Sequence, residues 1–191
     1  MNSVAISGSL RENVGKRDAK DLRYNSMVPA VLYGGATQTH FAVAAADLKP
    51  VVYTPEVNFI DLTIDGKTTK AIIKDMQFHP LTEAMIHIDF LELNEDKPVT
   101  IEIPIKVTGT SPGVKMGGKL VQKLRKLRVK ALPKDHINNI EVSIEGLEVG
   151  KSVRVGDVSV PNLTITNAQE DTILSVTTSR ALRQAEQEAK K

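Results

Sequence analysis

Residues 59–74 read FIDLTIDGKTTKAIIK, two runs of alternating apolar and polar side chains around Asp65-Gly66. Alternation with a period of two marks a strand that buries one face. Asp-Gly is favoured in a type I′ turn, because both central residues of that turn need positive φ. A two-residue turn fixes the register: Ile64 opposite Lys67, Leu62 opposite Thr69 and Ile60 opposite Ala71. Asp61 then falls opposite Lys70 on the other face, as a cross-strand ion pair. The stretch predicts a β-hairpin and makes the surrounding domain a β domain.

Working outward, Met85 to Leu93 alternates again, with Ile86, Ile88 and Phe90 on the core face and His87, Asp89 and Leu91 on the other. Upstream, Lys16 to Tyr24 has helical spacing, and Asp47 to Tyr53 predicts a helical turn capped by Asp47 and ending before Pro55. The first part is a mixture of strands and short helices.

Asn94-Glu95-Asp96-Lys97-Pro98 is polar and ends in proline, which marks residues 94–98 as a linker between domains at 1–93 and 99–178. In the second part Ile101, Ile103, Ile105 and Val107 alternate with polar residues and Pro104, and a proline in such a run predicts an edge strand. Further period-two segments at Ile140 to Ile144, Val153-Val155, Leu163-Ile165 and Ile173 to Val176 make this part nearly all β. Residues 179–191 have helix-forming composition with few apolar side chains, and are expected to project or fray as a helical tail.

Composition narrows the function. The chain has 191 residues, is 41% hydrophobic and contains no cysteine. That excludes disulfide frameworks, thiolate zinc sites and cysteine nucleophiles. No apolar run approaches the roughly 18 residues needed to span a bilayer. The start, MNSVAISGSLREN, lacks the basic and apolar segments of a secretory signal and reads as an exposed strand entering a polar loop. The expected location is the cytoplasm, with no membrane contact. With 25 basic and 23 acidic side chains the net charge is +2, too little for coating nucleic acid by bulk attraction. The sum hides unlike halves: residues 1–93 hold nine cations and eleven carboxylates, net −2, and residues 94–191 hold sixteen and twelve, net +4.

Three stretches carry residues of chemical interest. Gly113 to Lys119, GVKMGGK, has P-loop glycine and lysine spacing, but Leu120 stands where Ser or Thr would coordinate magnesium and no clear helix opens after it. The stretch reads as a flexible turn. His79, His87 and Asp89, with Asp75, could converge as a metal-dependent hydrolase centre, yet the spacing fits ordinary polar strand residues better, and neither metal nor cofactor is expected. Ser3, Ser7 and Ser9 have no nucleophile-elbow pattern around them.

Basic residues carry more information. From Lys115 to Lys134 the chain places Lys123, Arg125, Lys126, Arg128 and Lys130 among eight cations with no carboxylate between them. Such a run pairs with the phosphates of RNA or with an acidic partner, or forms a solvated strand face, since Leu127, Val129 and Ala131 alternate with Arg128 and Lys130. A second set comprises Arg11, Lys16, Arg17, Lys20 and Arg23, with Tyr33 placed to stack or hydrogen-bond.

At Arg11 to Gly35, RENVGKRDAKDLRYNSMVPAVLYGG, and Ile72 to Leu93, IIKDMQFHPLTEAMIHIDFLEL, the chain resembles the bacterial general-stress (CTC) family of large-subunit ribosomal proteins that bind 5S rRNA. The blocks are Gly15-Lys16, Leu22-Arg23, VPAVLYG, His79-Pro80 and His87-Ile88-Asp89-Phe90, in the expected order. Leu132-Pro133, the Ile140 to Ile144 strand and Val155-Gly156-Asp157-Val158 are similar to the all-β carboxy-terminal domain of longer members.

The resemblance implies a mainly β protein with short helices: a small amino-terminal β-barrel that grips 5S rRNA without catalysis, and a carboxy-terminal β domain. It also implies association with the large ribosomal subunit and neighbouring ribosomal proteins. Its RNA contacts would be Arg11, Lys16, Lys20, Arg23, Tyr33, His87 and Asp89. Lys123, Arg125, Lys126, Arg128 and Lys130 would form a possible second contact surface. Asp21 replaces a basic residue of the family pattern and would either repel phosphate or pair with Lys16, Arg17 or Lys20. Ser26 and Met27 stand where a glycine and often a basic residue occur. A second reading is a stress-related interaction module whose basic second domain docks to protein.

Overall fold

A computed structural model describes residues 3–35 and 37–178. The helical tail expected at 179–191 lies outside the described residues. The chain divides into two compact units after Val99, with Leu132–Lys134 joining the first.

In the first unit β1 (Ser3–Leu10), α1 (Lys16–Tyr24), β2 (Met27–Tyr33), β3 (Thr39–Ala44), α2 (Ala45–Val52), β4 (Phe59–Ile64), β5 (Lys67–Phe78) and β6 (Met85–Glu92) follow in order. The strands close a barrel in the order β1-β3-β2-β6-β5-β4, with the parallel pair of β1 and β4 joining its ends. Closure leaves no unpaired strand edge. The hairpin is as the sequence predicts: Ile64 pairs with Lys67, Leu62 with Thr69, Ile60 with Ala71 and Asp61 with Lys70. Asp65 and Gly66 both have positive φ, 48° and 80°. Asp61 and Lys70 face each other in register without closing into an ion pair. Both sit at the surface, where water competes for each charge and pairing gains little.

Alternation sends Ile60, Leu62, Ile88, Phe90, Ala30, Leu32, Phe41 and Val43 inward to one core. Phe41 and Phe90 meet with ring centroids 5.5 Å apart, tilted at 41°, an arrangement that their quadrupoles favour over a flat sandwich. The helix α2 starts earlier than expected and is not capped by Asp47: its N-cap is Ala44, which makes no side-chain cap bond. Strand β3 runs straight into this helix, and the Ala45 N–H is satisfied by the Ser26 carbonyl at 3.0 Å. Asp47 sits in the first turn instead, where its charge still favours the helix dipole. Thr54 closes the other end by donating to the Pro50 and Val51 carbonyls.

The second unit holds β7 (Val99–Thr108, its first residue grouped with the barrel), α3 (Pro112–Lys115), β8 (Lys119–Gln122), β9 (Lys126–Ala131), β10 (Ile140–Ser143), β11 (Ser152–Arg154), β12 (Thr164–Ile165) and β13 (Thr172–Thr177). They form one sheet of order β10-β7-β9-β12 and another of order β11-β13-β8. The edge-strand expectation for β7 is corrected, because β10 and β9 flank it on both sides. Pairing with β10 begins only at Ile105, and the Ile105 N–H points the other way, to the Arg125 carbonyl. The nitrogen of Pro104 therefore faces a side where no partner N–H acceptor is yet in place, and its missing proton costs nothing.

The GVKMGGK stretch is also not a flexible turn. Ser111, itself 2% exposed, caps a single helical turn by accepting from the Val114 N–H, and its hydroxyl donates to the Leu147 carbonyl. Gly113 is buried against the Glu148-Val149 backbone, where a Cβ would meet main-chain atoms at 2.7 Å. Gly118 is as closely packed, since a Cβ there would meet the Gly113 carbonyl oxygen at 2.6 Å, and Gly117 takes a positive φ of 92°.

Candidate nucleic-acid interface

Helix α1 buries none of its residues fully and turns Ala19 and Leu22 toward the barrel. Lys16, Arg17, Lys20 and Arg23 are exposed. Lys16 and Lys20, four apart, share one ridge of the helix. Arg23 is tied down at its Nε, which donates to the Ile86 carbonyl of β6 at 3.1 Å. That bond fixes the end of α1 beside the start of the strand that carries His87 and Asp89.

On the outer face of the barrel, β6 lies between β2 and β5. Register sets Val31 and Asp75 on either side of Asp89, Gln77 beside His87 and Tyr33 beside Leu91. The resulting strip brings Tyr33, His87 and Asp89 together with Asp75 and Gln77. His87 Nδ1 and Asp89 Oδ1 are 2.8 Å apart, with about a third of each side chain exposed. Donation from Nδ1 to the carboxylate orients the ring and leaves Nε2 facing outward, an acceptor in neutral imidazole and a donor in imidazolium. Desolvation pushes the Tyr33 phenol above its ordinary pKa, and the carboxylates of Asp89 and then Asp75 push it the same way. Tyr33 is thus held as a neutral hydrogen-bond donor.

Arg11 behaves differently from the other cations. Its guanidinium donates to Asp18 Oδ2 at 2.6 and 3.1 Å, and its side chain is only 8% exposed. The pair clamps the loop between β1 and α1. Sequence reading missed Asp18, since the contact spans a loop and no spacing rule predicts it. Asp21 makes no ion pair with Lys16, Arg17 or Lys20, so the same-helix pairing is not formed. Its carboxylate stays exposed among them.

His79 does not join His87 and Asp89. Its Nδ1 accepts from the Leu81 and Thr82 N–H groups at 3.3 Å and organises the loop between β5 and β6. Among the described residues no three of His, Asp and Glu are placed to hold a metal ion, and no helix is long and apolar enough to cross a membrane.

In the second unit Lys126, Arg128 and Lys130 alternate outward along β9 while Leu127, Val129 and Ala131 are buried. Lys123 and Arg125 are exposed where the chain passes from one sheet to the other. Arg128 is paired with Glu102 at 3.2 Å, so part of the run is neutralised by the neighbouring strand.

The first unit is a closed barrel with its apolar side chains inside and its ionic and hydrogen-bonding groups displayed outside. The ribosomal L25p family model matches residues 6–90, and the model for the ribosomal protein TL5 C-terminal domain matches residues 98–180. The large ribosomal subunit protein bL25 of Cytophaga hutchinsonii is 46% identical over 191 residues, all of both chains. That of Phocaeicola vulgatus is 43% identical, covering 97% of each chain, and that of Amoebophilus asiaticus is 44% identical, covering 99% of this chain and 96% of its own. The chain belongs to the ribosomal L25p family in its long form with a TL5-type second domain: a non-enzymatic, ribosome-associated structural constituent of the large subunit.

Proposed function

We propose that the first unit binds 5S rRNA through α1 and the outer strip of β2, β6 and β5. One observation carries this reading: α1 presents exposed Lys16 and Lys20 and is tied by Arg23 to the strand bearing the His87–Asp89 pair. Lys16, Lys20 and the free guanidinium nitrogens of Arg23 neutralise phosphates, which fixes register on the duplex without reading sequence. His87 Nε2, the remaining lone pairs of Asp89 and the Tyr33 hydroxyl address 2′-hydroxyls and base edges in the wide minor groove of A-form RNA. Arg11 supports α1 through Asp18, and adds charge to the RNA contact only as far as that pair yields.

The five cations of Lys123, Arg125, Lys126, Arg128 and Lys130 give the second unit a separate polyanion-facing surface within the subunit. Arg128 is the member least available to it, since Glu102 holds its guanidinium.

Ultraviolet cross-linking in purified large subunits tests the assignment. The expected adduct joins this chain to 5S rRNA at a peptide from residues 11–33 or 85–92. Adducts to 23S rRNA alone would overturn it.

A further inference from the structure

Tyr24 is the most exposed large hydrophobic side chain among those described, at 91%, and the cationic set does not account for it. A single exposed apolar residue needs no explanation by itself. Tyr24 has a position, however: Lys16, Lys20 and Tyr24 stand at i, i+4 and i+8 on one ridge of α1, each exposed, about 6 Å apart along the axis. Its hydroxyl makes no hydrogen bond to a described residue, and neither ring face is packed.

Resting on the proposed RNA contact of α1, we infer that Tyr24 is a base-stacking residue. The two lysines hold consecutive phosphates, and the ring at the end of the ridge takes an unpaired or splayed base of the same RNA. A two-torsion aromatic loses little conformational freedom on stacking, and every base offers a π-face. Asp21, three residues before Tyr24, is its neighbour on the adjacent ridge and is exposed, and no hydrogen bond or ion pair ties it to the ring.

The chain has no tryptophan, so Tyr24→Trp in the full-length protein introduces a sole reporter. Binding of 5S rRNA is expected to quench its emission, with affinity kept by Tyr24→Trp and Tyr24→Phe. Tyr24→Ala is expected to weaken binding about tenfold with an unchanged salt slope, because stacking releases no counterions. Lys16→Ala, run in parallel, lowers the slope by about one phosphate contact. Unquenched tryptophan and unchanged Tyr24→Ala affinity, alongside a reduced Lys16→Ala slope, would overturn the stacking role and leave the RNA reading standing. Absence of 5S rRNA binding by the wild type would overturn both.

Discussion

Asp18 and Asp89 each hold one partner, and the two pairs have opposite consequences. Asp18 withdraws the Arg11 guanidinium from the surface, whereas Asp89 aims the His87 ring outward. Asp89 also acts on Tyr33, whose raised pKa stems first from burial and then from Asp89 and Asp75. In the folded state the neutral phenol is favoured, so its contribution to stability is intact below the ordinary tyrosine value near pH 10 and is lost as pH rises through the raised one. Urea midpoints measured from pH 8 to 11 should fall on the alkaline side, and Tyr33→Phe should flatten that limb. Asp89→Asn should bring the Tyr33 phenolate transition, isolated by difference absorbance against Tyr33→Phe, part of the way down, with the desolvation component remaining. The residues of this strip were legible through the family blocks, but their partners were not. Asp18 meets Arg11 only because the β1–α1 loop folds back, and Asp75 meets Asp89 only through the register of β5 with β6.

Among elements, the β4–β5 hairpin was legible to single-residue register, because a two-residue turn leaves no freedom in pairing. Helix α1 was legible from Lys16 to its end at Tyr24, but the conformation that closes it was not. Ser26, at the first position past the C-cap, has φ of 58°, and its N–H bonds the Arg23 carbonyl. This is the left-handed conformation that closes helices and suits glycine, which explains the glycine in the family pattern. Ser26→Gly should stabilise the barrel by about 1 kcal/mol, read as a higher urea midpoint with unchanged slope, and should leave RNA affinity unaltered. Gly113→Ala should do the reverse in the second unit. Its methyl group would meet the Glu148-Val149 main chain, which has no flexible end to yield, costing about 1–3 kcal/mol. Neither the packed state of GVKMGGK nor the interior place of β7 was legible, since the first depends on the Leu147–Val149 segment and the second on β9 and β10, all distant in sequence.

At the scale of the whole molecule, charge is divided unequally between the two halves of the chain. The barrel half carries net −2; the second half carries net +4, and its longest run of cations without a carboxylate includes β9 and its approach. Lys126→Glu combined with Lys130→Glu should therefore leave affinity for isolated 5S rRNA within about twofold while reducing retention on large subunits in high-salt washes. Retention equal to wild type would reduce that surface to a solvated strand face. The proposed function is a site-limited grip on 5S rRNA by the barrel. Its most direct measurement is the equilibrium affinity of the full-length protein for purified 5S rRNA against an unrelated RNA of equal length, across a range of salt. Saturable preference for 5S rRNA with a log–log slope of about −3, from the three or four free cations of α1, is the predicted result. Equal affinity for both RNAs, with a slope steep enough for many more phosphates, would contradict it.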